Sequence, residues 1–414
     1  MEKIKKLTGK IIIIILLGLF LSSVPSFKTV YAQSEANLNE DTINKQYDEN
    51  SQGEELLKDK EVEEKLSGLY SYINNMKSDV ELINELDPVE YIKNYIKSGD
   101  GNLSLKKIAQ AVTSFLFKEV KVVLSLTLSI IVISIICSLL KNLQRSFSNE
   151  NISNIAFFAC YALLIVILSK SFLISIELAK DVIIKISDFM AALLPILVMM
   201  LGTAGGFTQA VTMDPIILGA TFIIPRIYLN IIIPLILMTF VLQFANNIST
   251  EYKIDNLCKL MKQTIIVLQG FILTVFIALL TIRGITSSTI DAVTLKTAKF
   301  AVDNFIPIVG KAFSDAIATV AGYSLIIKNA VSSIGLIIIV LLMIYPIIKL
   351  ALISLVYKLT AALVEPIGEK RITDSIAAAG DALILIMSTV ISVSIMFFIL
   401  IAIMASAGKF VIGG

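Results

Sequence analysis

The sequence predicts an all-α fold: a polytopic helical membrane protein with an N-terminal signal peptide and an extracytoplasmic helical arm. Three observations predict it. Of 414 residues, 56% are hydrophobic and only 16% charged, whereas soluble domains are about half apolar and about a quarter charged. The surplus apolar residues fall in runs near the ~20 residues a helix needs to cross a bilayer core. Charge is also split along the chain. Gln33 to Lys107 holds 17 acidic and 9 basic residues, and Ile108 to Gly414 holds 15 acidic and 21 basic.

Residues 1–32 read as a cleavable signal peptide. Lys3, Lys5, Lys6 and Lys10 form a basic start, Ile11 to Leu21 an apolar stretch too short for a comfortable span, and Pro25 a break. Val30-Tyr31-Ala32 then places cleavage after Ala32. Residues 33–53 are acidic and polar, lack periodicity and are expected to be disordered.

Residues 54–118 read as extracytoplasmic amphipathic helices. Val62, Leu66, Leu69, Ile73, Met76, Val80 and Ile83 alternate steps of four and three, the seam of a helix that packs on another. The partner is either the chain's own next helix or another protein, through a coiled-coil contact over residues 62–83. Asp87-Pro88-Val89-Glu90 opens a new helix, with Asp at the N-cap, Pro at N1 and Glu at N3. From Ser104 to Lys118 the pattern suits a helix lying in the membrane interface.

Residues 119–414 form the transmembrane domain. The apolar runs are Val120–Leu140, Ile152–Ile176, Phe189–Leu201, Ile216–Phe244, Thr264–Ile282, Val331–Tyr357 and Ala382–Ala405. They give seven spans, with the C-terminus inside, or six, with it outside. The difference is whether Phe189–Leu201 and Ile216–Phe244 cross separately. Loop Lys and Arg divide equally between the two sides in either arrangement, so the positive-inside rule does not choose. Amphipathic or re-entrant segments are expected near 189–226, 284–329 and 358–380. A Pro-Ile break recurs at Pro307-Ile308 and Pro366-Ile367, with a weaker echo at Pro195-Ile196.

Several chemistries are excluded or disfavoured. The chain has no histidine, which removes the usual base near neutral pH and the commonest metal ligand. Cys137, Cys160 and Cys258 are far apart in sequence, so neither a zinc site nor a disulfide is expected. No nucleotide-binding loop is present, and no basic cluster carries the aromatics of a nucleic-acid surface. No cofactor, metal or catalytic group is expected.

Charges inside apolar runs are the best pointers to function, because each is costly unless paired or wet. Arg226 follows Pro225 within one run, and Lys349 lies three residues past Pro346. Asp214, Asp315, Glu365 and Asp381 are candidate partners, with Gln243, Asn230 and Gln269 as polar lining. One reading is a polar path through the bundle; the other is snorkelling or a structural ion pair. Gly202 and Gly206 bracket a glycine-rich stretch suited to close packing or a turn.

The stretch Phe313-Ser314-Asp315-Ala316-Ile317-Ala318-Thr319-Val320-Ala321-Gly322-Tyr323-Ser324-Leu325-Ile326-Ile327-Lys328-Asn329-Ala330-Val331 follows Pro307-Ile308-Val309-Gly310-Lys311. It resembles the stage III sporulation protein AE family of endospore-forming Firmicutes. The layout of signal peptide, variable acidic arm and polytopic domain is similar too. The resemblance implies a non-enzymatic subunit of a sporulation-specific transenvelope channel or secretion-like complex. Its place would be the mother-cell-derived outer forespore membrane, with the arm in the intermembrane space. The implied partners are the other stage III operon proteins, AA to AH, and stage II sporulation protein Q. The AA member resembles secretion ATPases and would supply the nucleotide site this chain lacks. No catalytic residues are implied. The alternative is a stand-alone secondary transporter for a small solute, for which Arg226 beside Pro225 is the favouring feature.

Overall fold

The computed structural model describes residues 60–79, isolated positions between 90 and 125, 128–139, 150–206, isolated positions between 208 and 215, 219–248, 253–305, 310–366 and 368–407. The signal peptide and acidic segment, residues 1–53, lie outside the described residues, as does Asp214. The described residues are helical apart from short turns and belong to one compact unit, Leu56–Gly414.

Seven principal helices follow in order: α1 (Lys60–Asp79), α2 (Leu128–Leu139), α3 (Glu150–Thr203), α4 (Gly219–Ile248), α5 (Asp255–Phe305), α6 (Gly310–Val364) and α7 (Lys370–Ser406). Five have stretches long and apolar enough to cross a membrane, within α3, α4, α5, α6 and α7, and α2 is a shorter apolar helix. The runs Ile152–Ile176 and Phe189–Leu201 share one unbroken helix. The reason lies between them. Glu177, Lys180, Asp181 and Asp188 are polar but no helix breakers, and they stay exposed while Ala179, Val182, Ile183 and Ile186 continue the buried stripe. Lys185 and Asp181 add an i,i+4 ion pair at 2.9 Å.

α3 stops where its glycines begin. Gly206 N–H donates to Leu201 O (2.9 Å) and Gly205 N–H to Gly202 O (3.0 Å), with Gly205 at φ 91°. This is a Schellman stop, and the left-handed residue it requires is glycine. A Cβ on Gly206 would fall 2.8 Å from Leu201 Cδ1, whereas at Gly202 the nearest neighbour is Ala210 Cβ at 3.9 Å.

The arm helix α1 lies on α3. Leu69, Ile73 and Met76 of its seam are buried. Tyr72 donates to Lys185 O (3.3 Å), and its ring stands 6.5 Å from that of Phe189. The seam is therefore engaged within the chain over these residues; Val62, Leu66, Val80 and Ile83 have side chains outside the described set.

α7 is the central helix and packs on α3, α4, α5 and α6. Its most extensive partner is α6, reached by the short turn at Pro366. Segment 358–380 is thus a hairpin between two long helices. Gly380 permits the close approach there: a Cβ would lie 3.3 Å from Ser354 O, and Ser354 Oγ donates to Gly380 O at 2.8 Å. Pro366 ends one long helix before the next begins, whereas Pro195 sits inside α3 without ending it. Hydroxyls within the apolar stretches, such as Ser175, Thr239 and Ser394, donate to carbonyls four residues back. A bilayer offers them no water, so this local bonding removes the cost of an unsatisfied donor.

Candidate functional site

Polar side chains gather at four places in the bundle. The first is α4. Pro225 and Pro234 each remove an amide donor from the helix. A π-helical segment precedes each: Gly219–Ile223 before Pro225 and Tyr228–Ile232 before Pro234. Pro225 has no amide to offer the carbonyl four residues back, Thr221 O. Ser187 of α3 donates its Oγ–H to Thr221 O at 2.9 Å. Arg226 projects from this irregular stretch on its exposed side, and no ion pair reaches it among the described residues.

The second place is Lys349 on α6. Its ammonium meets Glu119 Oε1 at 3.4 Å and Tyr345 Oη at 3.3 Å. Glu119 is only 7% exposed, and its Oε2 is buried without a hydrogen-bond donor among the described residues. The sequence pointed to Lys349, but the carboxylate it meets is 230 residues away and was not among the candidate partners. Asp315 lies in the first turns of α6, and its side chain is outside the described residues.

The third is Lys328, fully buried at 0% exposure. It donates to Ala407 O, the residue after the last turn of α7. A cation at that end complements both the orphan carbonyls and the negative pole of the helix.

The fourth is the richest. α5 and α7 run in the same direction and pair with a constant offset of 119 residues. Lys262 meets Asp381 Oδ2 at 3.2 Å. One heptad on, Ser388 Oγ donates to Gln269 Oε1 (2.9 Å) and Gln269 Nε2 donates to Thr389 Oγ1 (2.8 Å). Polar groups repeating every seven residues on a helix seam fix register. Lys358 of α6 reaches the other oxygen of Asp381 at 2.8 Å, so one carboxylate ties three helices together. Near this end of α7, Ser375 accepts from Tyr161 (2.6 Å) and Asn247 (3.1 Å), and gives its own proton to Arg371 O (2.7 Å). Asn246 Nδ2 donates to Asp255 Oδ1 at 2.7 Å, while its carbonyl accepts from Ile254 N–H at 2.6 Å. The loops near 245–263 and 358–380 therefore meet at one end of the bundle. A cavity of about 280 Å³ lies between α4, α5 and α7 there.

Lys262, Lys358, Lys328 and Glu119 were missed in the sequence. For Lys328 a signal existed: a single charge, beside Asn329, in the otherwise apolar stretch Leu325 to Val331. Among the described residues no group of three or more His, Cys, Asp or Glu is placed to hold a metal ion. The arrangement ties helices by charge and hydrogen bond.

Long apolar helices braced by internal ion pairs define a class: a multi-pass α-helical membrane protein. A family model described as "Stage III sporulation protein AE" matches residues 86–408, and the chain belongs to that sporulation family. It is 31% identical to "Stage III sporulation protein AE" of Bacillus subtilis (strain 168) over 312 residues, covering 75% of this chain and 78% of that protein. No solved structure matches.

Proposed function

We propose that this chain is a non-enzymatic membrane subunit of a sporulation-specific transenvelope channel or secretion-like complex linking mother cell and forespore. The family match carries this reading, because it spans the bundle from before Glu119 to beyond Ala407. The polar groups add support. Lys262, Lys349 and Lys358 each face a carboxylate and Lys328 a helix terminus, which is bracing rather than a nucleophile poised beside a base. The expected membrane is the mother-cell-derived outer forespore membrane, with α1 in the intermembrane space. The expected partners are the stage III proteins AA to AH and stage II protein Q.

An in-frame deletion tests this. It should leave vegetative growth unchanged and arrest spore formation after engulfment. Normal heat-resistant spore yield from the deletion strain would end the proposal.

A second reading, a stand-alone transporter, has one observation in its favour: the π-helical segments on either side of Arg226, since such segments recur at functional sites. It requires that Arg226→Ala abolish solute uptake into vesicles containing this chain alone.

A further inference from the structure

Two apolar faces of the bundle each carry a charge that the chain itself leaves unpaired. On α4, Arg226 is exposed beside the exposed apolar side chains Phe222, Ile223 and Ile231. On α3, Asp188 is exposed one turn from the exposed Ile184. No ion pair reaches either charge among the described residues, and Asp181, one heptad before Asp188, already holds Lys185. Both helices have stretches long and apolar enough to cross a membrane, and both charges lie inside those stretches. A charge facing lipid there is costly unless something pairs with it.

The two charges share one depth. α3 and α4 run antiparallel: the rings of Phe172 and Phe240 stack at 3.7 Å, and Ser187 donates to Thr221 O at 2.9 Å. Arg226 lies fourteen residues before Phe240 and five after Thr221, so counting from these contacts brings it level with α3 residue 186 or 182. Asp188 is then about 3–9 Å away along the axis, at 1.5 Å per residue. Depth is the coordinate that an oligomer in a membrane preserves. Copies inserted the same way are related by rotation about the bilayer normal, so a residue of one copy meets residues at its own depth in the next.

We propose that a second copy of this chain docks here, with Arg226 of one copy paired to Asp188 of the next. Each face carries the charge that the other lacks, so one chain supplies both halves of the contact. A lipid tail or an apolar helix would answer neither charge. The guanidinium fork fits a carboxylate with two parallel hydrogen bonds. Phe222, Ile223 and Ile231 on one side and Ile184 on the other close around the pair. An arginine ringed by apolar contacts that exclude water is a common energetic centre of an interface. The proposal does not depend on the reading of this chain as a complex subunit, because it concerns how copies meet one another.

The test uses the full chain carrying two different tags, both forms made together in cells that lack every other sporulation protein. The membranes are extracted in mild detergent and one tag is used for capture. Wild-type copies should bring each other down. Arg226→Asp in both forms, or Asp188→Arg in both, should cut the yield about 30-fold, the scale for breaking a desolvated interfacial charge pair. Arg226→Asp in one form and Asp188→Arg in the other should restore it, because the reversed pair forms between the chains and the native pair survives beside it. A pair made within one chain predicts no such rescue. Arg226→Gln and Asp188→Asn, which reverse no charge, should each cut the yield by less, and they carry the test if a reversed chain fails to accumulate. Wild-type copies that do not capture each other, a yield unmoved by all four variants, or a mixture no better than either reversal alone would overturn the proposal. The deletion strain bears only on the broader reading. If deletion leaves sporulation intact while the mixed reversals still rescue capture, that reading falls and this one stands.

Discussion

Gly335 of α6 sits where three helices touch, and it sets a quantitative test of the packing. A Cβ built there lies 2.7 Å from Leu193 Cδ2 of α3 and 3.4 Å from Ile401 Cδ1 of α7. Both neighbours are fully buried, so neither has free space to move into. Gly335→Ala gains about 0.5–1 kcal/mol from the better helix former. Overpacking a well-filled site costs about 1–3 kcal/mol. The balance is a net loss on the order of 1 kcal/mol. Leu193→Ala alone should lose about 2–5 kcal/mol, the range for a buried Leu truncation. Together the two should lose about 1 kcal/mol less than their sum, because the new methyl enters space that Leu193 vacated. Reversible unfolding of the purified chain in detergent, run as a double-mutant cycle, measures all four states. A Gly335→Ala protein as stable as the parent or more so, with additive behaviour in the cycle, would refute the close contact.

Three further outcomes follow from the polar contacts. Glu119→Gln or Lys349→Met alone should destabilise by about 2 kcal/mol, below the ~3–5 kcal/mol of a fully buried pair because Lys349 keeps 24% exposure; the double variant should recover most of the loss in the same unfolding assay. Ser187→Ala should lose about 1 kcal/mol by removing its hydrogen bond to Thr221 O; with Pro225→Ala added, position 225 regains an amide that can bond Thr221 O, and the Ser187 effect should shrink. Lys328→Met should loosen the end of α7, read as faster proteolytic trimming of the C-terminus and faster amide exchange over the last turn of α7.

The helical membrane character was legible because it depends on local pattern alone. Leu69, Ile73 and Met76 were placed on one face by spacing, and that face is buried. The division into spans was less legible. Hydropathy separates Ile152–Ile176 from Phe189–Leu201 at Glu177, Asp181, Lys185 and Asp188, but hydrogen bonding within a helix is indifferent to charge on its outer side. Only glycine at Gly202–Gly206 stops it. Pairings were the least legible part. Glu119 with Lys349, and Lys328 with Ala407, join positions far apart in the chain, and no local rule reports such distances. Arg226 drew notice as a charge in an apolar run, yet the feature that marks its surroundings is the π-helical backbone created by the two prolines. The offset between α5 and α7 needed both helices in place before Lys262 could be seen to meet Asp381 and Gln269 to meet Ser388.

The unbroken middle of α3 has a mechanical consequence. Between Tyr161, which bonds Ser375, and Phe189, which touches the arm, there is neither glycine nor proline. At 1.5 Å per residue this is a strut about 42 Å long, longer than the ~30 Å thickness of a bilayer's hydrocarbon core. A tilt of about 10° imposed at the arm end shifts the other end by about 7 Å, a lever arm set by that length. Tyr161 shares Ser375 with Asn247, which borders the cavity. A displacement imposed at the α1 contact is thereby carried along α3 to the residues bordering the cavity between α4, α5 and α7, with no soft joint in between to absorb it.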